Sequence, residues 1–362
     1  MSFCRSLYGE AAGAVHASRA GLVTAAMPVT EIRSEASNPF YRWADRLTEA
    51  GLPTRGTAGL LVGQQSGYQS HLLRHADTAP ADAARGLVDA VRGIASDTAF
   101  RARVGCADRS HAPAVAMFLG TEDVRLFRAA GVTAPPLLLQ LDAWIPLGGG
   151  GWEGYLASLG SRRRAGAVGA ERRRFEAAGY TVEHRPLGEV TQEIGSLLAQ
   201  TERRYGNEGD ARACARTFAL QAAATDSRGE VLLCRDDTDR AVGFCLFYEW
   251  DGVVYLRAAG FDYARLRGVG EYFNLVYYRV IEIAAERGVR LLHAGIEAAE
   301  AKALRGAELR GLWMLDLGAD SVLDGHAAEV RAANRAALGR MTAASRAVAS
   351  AVSQDVYDLV GR

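Results

Sequence analysis

Lysine is almost absent from this sequence. Of its 362 residues, 42 are lysine or arginine, and Lys302 is the only lysine among them. An ammonium group is a compact point charge and a guanidinium group is a planar fork, so the two are not interchangeable where an anion is held tightly. A lone lysine therefore suggests that arginine cannot serve at position 302.

The sequence also has no excess of positive or of negative charge. The 42 basic residues are balanced by 42 aspartates and glutamates, so the formal net charge is zero. Long-range attraction of the whole molecule to nucleic acid or to an anionic membrane is therefore not expected. A local basic patch is still compatible with this balance.

C-x-x-C pairs, long apolar runs and the H-E-x-x-H metal motif are missing too. The five cysteines include no C-x-x-C pair and indicate free thiols in a reducing compartment. No window of 18 apolar residues predicts a transmembrane helix, and the charged start does not fit a signal peptide. The cytoplasm is therefore the predicted location. The sequence has no H-E-x-x-H motif, so we expect no metal site.

Apolar sequence is sufficient for two cores, because 49% of the residues are hydrophobic and the length suits two domains. Predicted strands and helices alternate in both halves. This order indicates an α/β (α+β) class with mixed central sheets flanked by helices. Four consecutive glycines at residues 148–151 predict a boundary. The predicted organisation is an arm over 1–37, domains over 38–150 and 151–325, and a C-terminal helix over 326–362.

One loop carries the clearest chemical signal. A strand predicted over residues 253–259 leads into a glycine-rich loop, and a long helix follows directly. Glycine lets the backbone approach an anion, and the N–H groups of the first helical turn point at it. We therefore expect a donor phosphate to be held by residues of this loop, namely Arg265, Arg267, Gly268, Val269, Gly270 and Glu271.

Three side chains are candidates for proton transfer in an acyl-transfer reaction. Glu249 and His293, each at a strand end, could act as the base, and Tyr255 could protonate a leaving thiolate. Each also has a structural interpretation, as a charge beside a hairpin, a packed histidine and a core tyrosine. No G-x-S-x-G motif is present, so direct transfer without a covalent enzyme intermediate is the simpler hypothesis.

Lys302 and Arg305 lie three residues apart and would share one face of a helical turn. With Glu297, they are predicted to bind substrate, the two cations clamping a phosphate or carboxylate. The alternative is a solvated face on which the cations pair with Glu297, Glu300 and Glu308.

The spacing Arg265, Gly268, Gly270 resembles the Q/R-x-x-G-x-G/A pyrophosphate loop of GNAT acyltransferases. From about residue 152 to 317, the order of predicted helices and strands is similar to that of the Fem-like branch of GNAT enzymes. The members of this branch are tandem-GNAT proteins related to peptidoglycan peptide-bridge transferases. Residues 161–179 resemble the basic segment of that branch, and residues 302–306 resemble its K-x-x-R-G signature. The first half has no R-x-x-G-x-G, so we expect no donor there.

The resemblance implies two tandem GNAT-like domains and leaves three functions open. The first is an N-acyltransferase that uses acyl-CoA and a small-molecule amine. The second is an aminoacyl-tRNA-dependent, amide-forming transferase of cell-wall or natural-product biosynthesis, with tRNA as partner. The third is a non-catalytic binding protein. The sequence leaves the acceptor and the oligomeric state open.

Overall fold

The computed structural model describes residues 11–224, 228–343 and 345–361. The chain divides into two compact units, unit 1 with Met1–Asp142 and Leu309–Arg362, and unit 2 with Ala143–Glu308. The glycine run at 148–151, predicted as the boundary, lies just inside unit 2. The end of the chain returns to the first unit, a long-range connection that no local sequence signal reports.

The first part of unit 1 alternates strands and helices. Its elements are β1 (Ala12–Arg19), β2 (Leu22–Ile32), a 3₁₀ turn (Pro39–Tyr41), α1 (Trp43–Glu49), β3 (Gly59–Val62), β4 (Leu73–Arg74), α2 (Pro80–Ser96), α3 (Thr98–Arg103), β5 (Ala114–Gly120), α4 (Thr121–Ala129) and β6 (Leu137–Pro146), whose last four residues belong to unit 2. β3 runs parallel to β5, while β1, β2 and β3 pair antiparallel.

The predicted N-terminal arm differs from the structure. Residues 1–10 lie outside the described part, but residues 11–37 contain the β1–β2 hairpin. Val15, Ala25 and Met27 are buried on these strands. The many alanines and glycines hide the period-two pattern of a strand, because a small residue fits either face.

Unit 2 is built around strands of mixed direction. Its elements are α5 (Gly151–Ser158), α6 (Arg162–Glu176), β7 (Thr181–Pro186), α7 (Leu187–Arg204), α8 (Ala211–Ala224), β8 (Glu230–Arg235), β9 (Ala241–Trp250), β10 (Val253–Phe261), the composite helix α9, β11 (Leu291–Gly295) and α10 (Ala299–Ala303). Helix α9 consists of Glu271–Phe273, a π-helical turn at Asn274–Tyr278 and Arg279–Glu286.

The strand order in unit 2 is β11-β10-β9-β8-β7, and only the β10–β11 pair is parallel. Helices α7 and α8 cover the sheet through apolar contacts. Their shared core contains Leu187, Ile194, Phe218, Val231, Leu233 and Phe244. This packing fixes the sheet from which the glycine-rich loop emerges.

The chain then completes unit 1. β12 (Glu308–Asp316) pairs antiparallel with β5, and three helices follow, α11 (Ala327–Ala343), α12 (Arg346–Ala351) and α13 (Gln354–Val360). The single helix predicted over 326–362 is therefore interrupted twice. Buried Asn334 of α11 binds the backbone of Leu138 and Pro136 with its side-chain amide, at 2.8 and 2.9 Å.

The predicted α/β class, with mixed sheets flanked by helices, is confirmed. No helix in the described residues has the length and apolarity needed to span a membrane. The described cysteines are free and buried, namely Cys106, Cys214, Cys234 and Cys245, and Cys4 lies outside the described residues.

Candidate active site

The loop between β10 and α9 has the backbone shape that its glycines predict. Gly268 and Gly270 have φ angles of +72° and +83°, in the left-handed region that side chains rarely adopt. Gly270 is also the N-cap residue of α9. The loop therefore turns its backbone N–H groups back toward the start of that helix.

These N–H groups converge on a carboxylate of the protein itself. Glu271 Oε1 accepts hydrogen bonds from the backbone nitrogens of Arg267 and Gly268, at 2.6 and 3.0 Å. Its Oε2 accepts from Val269 N at 3.0 Å. Glu271 is buried, with 5% of its surface exposed. The loop thus binds an anion, and that anion is the side chain of Glu271.

Tyr180 completes this arrangement. Its hydroxyl donates to Glu271 Oε1 at 3.0 Å, and also lies 3.0 Å from Arg267 N. Burial, with a further contribution from Glu271, raises the pKa of Tyr180 to about 12. The phenol therefore keeps its proton at neutral pH and remains a donor to the carboxylate.

The two arginines of the loop have protein partners. Arg265 donates to Asp236 through Nε and Nη2, at 2.9 and 2.6 Å. Arg267 pairs with Asp237 at 3.0 Å and lies over the Tyr180 ring, 4.9 Å from its centre. A hydrogen bond from the Thr238 hydroxyl holds the pKa of Asp236 well below its usual range, and the hydrogen bond from Arg265 lowers it further. Both guanidinium groups thus anchor the loop to the turn after β8.

The parallel strands β10 and β11 pair over only three residues each. The last pair joins Tyr255 and His293, and beyond it β10 continues for six residues to Phe261. The β9–β10 pairing also shifts register between Leu256 and Ala258. A bulge where parallel strands part exposes backbone at a defined place, a common feature of active sites.

Two of the three predicted proton-transfer residues meet at this point. The rings of Tyr255 and His293 are 5.5 Å apart, and Trp144 lies 4.6 Å from His293. His293 is buried, and burial raises the pKa of Tyr255. Glu249 lies elsewhere, since its carboxylate pairs with Arg287 at 3.1 Å in an ion-pair cluster at the hairpin end.

Lys302 stabilises the turn that follows β11. Its Nζ donates to the backbone oxygens of Gly295 and Ile296, at 2.8 and 2.6 Å, and the residue is 3% exposed. Glu297 and Ala298 in this turn have positive φ angles of 66° and 44°. A compact ammonium fits two neighbouring carbonyls better than a planar guanidinium, which accounts for the lone lysine. Glu297 itself is exposed.

Arg305 belongs to a buried polar cluster beside the π turn of α9. Its Nε donates to the Tyr278 hydroxyl at 2.9 Å and its Nη2 to Glu171 Oε2 at 2.8 Å. Its guanidinium carbon lies 3.3 Å from the centre of the Phe273 ring. Burial raises the pKa of Tyr278. The charge of Arg305 is therefore neutralised within the protein by Glu171.

A cavity of about 510 Å³ opens beside this cluster. Arg163 and Arg164 of α6 line it together with Glu171, Leu304 and Arg305. Arg163 is exposed, and Leu304 is 40% exposed. One wall of the cavity is therefore formed by the ion pair of Arg305 with Glu171. The arginines of α6 lie on the side that faces solvent.

Comparisons with known proteins identify a GNAT-type domain that contains the loop between β10 and α9. Residues 161–303 match a family model described as an acetyltransferase (GNAT) domain. A crystal structure of FemX has 12% sequence identity and a TM-score of 0.55, and the alignment covers 88% of this chain and 89% of that one. The chain therefore contains a GNAT-type domain over residues 161–303, and its fold is similar to that of FemX.

A second structure supports the same fold. L-PGS from Bacillus licheniformis has 12% identity and a TM-score of 0.50, with 90% of this chain and 93% of that chain covered. No curated protein matches the sequence. The match of the GNAT model to residues 161–303 locates the acetyltransferase-type domain in the second unit.

Sequence reasoning missed three polar residues of this GNAT domain. Tyr180 and Glu171 approach the site from outside the loop, and Tyr278 belongs to a π turn that has no sequence signature. Glu171 gave a partial signal, because it is one of only two acidic residues in the arginine-rich helix α6. A single glutamate between arginines indicates a specific ion pair, which here forms with Arg305.

The role of Lys302 can be tested by replacing it with methionine. Lys302→Met keeps the length of the side chain but leaves the carbonyls of Gly295 and Ile296 without the ammonium. We expect the free energy of unfolding to fall by about 2–4 kcal/mol in urea denaturation. Arg212→Met is the control, because Arg212 is exposed on α8 and should cost little. Equal effects of the two substitutions would contradict a structural role for Lys302.

Proposed function

We propose that this protein transfers an aminoacyl group from an aminoacyl-tRNA to an amine by direct attack. The observation that carries this proposal is the position of Glu271. Three backbone N–H groups that would otherwise hold a pyrophosphate hold its carboxylate. A CoA pyrophosphate placed there would meet a buried negative charge, and like charges at that distance repel strongly.

The arginines of α6 support a nucleic acid as donor. Arg172 pairs with Glu282 and Glu176. The other five have no acidic partner in the part of the chain that the structure describes, namely Arg162, Arg163, Arg164, Arg173 and Arg174. Unpaired guanidinium groups along one helix suit a phosphate backbone, which a protein of zero net charge would otherwise not attract.

The chemistry needs few groups from the protein in this proposal. An aminoacyl ester is already activated, so the amine can attack its carbonyl without a covalent enzyme intermediate. Tyr255 and His293, where β10 and β11 part, are the proposed acid–base pair. The backbone at the bulge after Leu256 is the proposed donor to the oxyanion, because fixed N–H groups stabilise a tetrahedral intermediate most effectively.

Acyl-CoA is the second candidate donor. The R-x-x-G-x-G loop, and the fact that its N–H groups do bind an anion, favour it. For CoA to bind, the Glu271 side chain has to leave the loop and the pyrophosphate has to replace it. Acyl transfer from CoA therefore requires a rearrangement that transfer from tRNA does not.

Replacing Glu271 separates the two donors. Glu271→Ala empties the anion site, so we expect CoA affinity to increase at least about tenfold over wild type, or 1.4 kcal/mol, in isothermal titration calorimetry. Glu286→Ala is the control, because it removes an exposed charge from the far end of the same helix. Tight CoA binding by the wild type, weakened or unchanged in Glu271→Ala, would show that CoA is the donor.

Binding of charged tRNA tests the α6 arginines. In Arg163→Ala/Arg164→Ala, the slope of log Kd against log salt concentration should fall by about 1–2, because each lost phosphate contact releases about one fewer counterion. Arg212→Ala/Arg216→Ala removes the same charge from exposed positions of α8 and should leave the slope unchanged. Equal slopes in both variants would contradict binding through α6. A wild type that binds neither tRNA nor CoA would favour the non-catalytic alternative.

A further inference from the structure

Three tyrosines lie around the start of the glycine-rich loop in unit 2. Tyr205 is the C-cap residue of α7, Tyr263 comes two residues after the end of β10, and Tyr272 is the second residue of α9. The chain between Tyr263 and Tyr272 contains the backbone N–H groups that bind Glu271. The three aromatic side chains therefore flank the candidate active site of the GNAT domain.

A buried phenylalanine holds two of these rings together. Phe261, the last residue of β10, is 2% exposed, and its ring lies 6.0 Å from that of Tyr263 and 5.8 Å from that of Tyr272. Its backbone N–H donates to Thr201 Oγ1 of α7 at 2.9 Å. This hydrogen bond ties the end of α7, and with it Tyr205, to the end of β10.

Tyr205 lies close to both of the other tyrosines. Burial raises the pKa of Tyr263, and the phenol of Tyr205 raises it further. Burial also raises the pKa of Tyr272, and Tyr205 contributes to that increase as well. Tyr263 and Tyr272 therefore keep their protons at neutral pH, and their rings are uncharged.

The surface formed by these rings is open to solvent. Tyr205 is 72% exposed and Tyr272 is 38% exposed, while Tyr263 is half-buried. A single exposed aromatic residue is common on protein surfaces. Three neighbouring rings at the edge of a candidate active site instead indicate a surface that binds a flat, largely apolar group.

An arginine extends this surface. The guanidinium carbon of Arg204 lies 4.2 Å from the centre of the Tyr263 ring, in a cation–π arrangement. Arg204 is exposed, and it forms no ion pair with any residue in the described part of the chain. Its planar group is thus held against one ring and remains accessible to a ligand.

We propose that Tyr205, Tyr263 and Arg204 form a stacking surface for unpaired bases at the 3′ end of the donor tRNA. Proteins recognise single-stranded RNA by stacking its bases on aromatic rings and arginine planes, and every base has a face that can stack. This inference rests on the proposed function, in which the amino acid is carried on that unpaired end. It gives the donor a second contact besides the arginines of α6.

The distance from the proposed reaction site suits a short single strand. The proposed donor to the oxyanion is the backbone at the bulge after Leu256, and β10 continues from there to Phe261. At about 3.3 Å per residue, the end of β10 lies roughly 15 Å from the bulge. A few unpaired nucleotides can span that separation, so the ester can lie at the bulge while a preceding base lies on the tyrosines.

We expect stacking rather than phosphate binding here, because this surface carries little net charge. Glu208 is exposed in the loop that follows α7, and its charge offsets that of Arg204. Stacking adds affinity without releasing counterions, so loss of a ring should leave the salt dependence of tRNA binding unchanged. This separates the stacking surface experimentally from the arginines of α6.

Binding of the trinucleotide CpCpA, the unpaired 3′ end of tRNA, tests the stacking surface. In Tyr205→Ala, the Kd measured by isothermal titration calorimetry should rise about 5- to 150-fold, because one stacked base contributes about 1–3 kcal/mol. Tyr205→Trp keeps an aromatic face and should bind at least as tightly as the wild type. Both variants should fold, because the side chain at position 205 is 72% exposed.

Trp250→Ala is the matched control, because Trp250 is also an exposed aromatic residue beside an arginine. It is 63% exposed, and the guanidinium carbon of Arg228 lies 5.6 Å from the centre of its ring. Trp250 pairs with Val253, the first residue of β10, and so lies at the opposite end of that strand from Tyr263. Trp250→Ala should bind CpCpA as the wild type does.

Three results would overturn the stacking surface. The first is a wild type that does not bind CpCpA at millimolar concentration. The second is a Kd for Tyr205→Ala within about twofold of the wild type, and the third is an equal loss in Trp250→Ala. CoA carries an adenine as well. Weaker CoA binding in Tyr205→Ala, without binding of CpCpA by the wild type, would assign the rings to CoA and contradict the assignment to RNA.

Transfer assays distinguish a failure of this inference from a failure of the proposed function. With charged tRNA as donor, Tyr205→Ala should raise KM and leave kcat unchanged, because the ring contacts the donor away from the reacting ester. If the wild type transfers nothing from charged tRNA but binds CpCpA through Tyr205, the proposed function fails and the stacking surface stands. If Tyr205→Ala transfers with the wild-type KM, the stacking surface fails and the proposed function stands.

Discussion

The contact of the Glu271 carboxylate with the backbone of residues 267–269 determines how the GNAT domain presents its loop. The start of a helix has N–H groups without intrahelical partners and carries partial positive charge, so it requires an anion or water. Here the anion is part of the helix itself. This explains how Gly268 and Gly270 can hold left-handed conformations at the surface. It also explains why a motif that fits phosphate binding does not require a phosphate ligand.

The other charges of unit 2 follow the same pattern of internal neutralisation. Arg265, Arg267 and Arg305 were expected to meet ligands, and each is paired with a carboxylate of the protein. Arg305 is the buried one of the three, and it needs such a partner because an unpaired charge in the interior is costly. The arginines of α6 that lack acidic partners are exposed or partly exposed. Five arginines without an acidic partner among the described residues therefore lie on one helix of unit 2.

Much of the fold could be predicted from the sequence, and the site could be predicted in part. Period-two and period-3.6 patterns indicated the strands and helices of unit 2, and glycine spacing located the loop. The return of β12 to unit 1 is a tertiary event that no local pattern encodes. The contact of Glu271 with residues 267–269 is local, but the motif does not distinguish a carboxylate of the protein from a bound phosphate. Lys302 shows the same limit, because its rarity identified a special position but not whether its partner is a ligand or a backbone carbonyl.

The occupancy of the loop can be measured directly through its backbone amides. Hydrogen exchange followed by NMR should show protected amides at Arg267, Gly268 and Val269 in the ligand-free protein, because each donates to the buried Glu271 carboxylate. Addition of CoA should leave both their exchange rates and their chemical shifts unchanged. Rapid exchange of these amides without ligand, or large shifts on saturation with CoA, would contradict the account that Glu271 occupies the anion site.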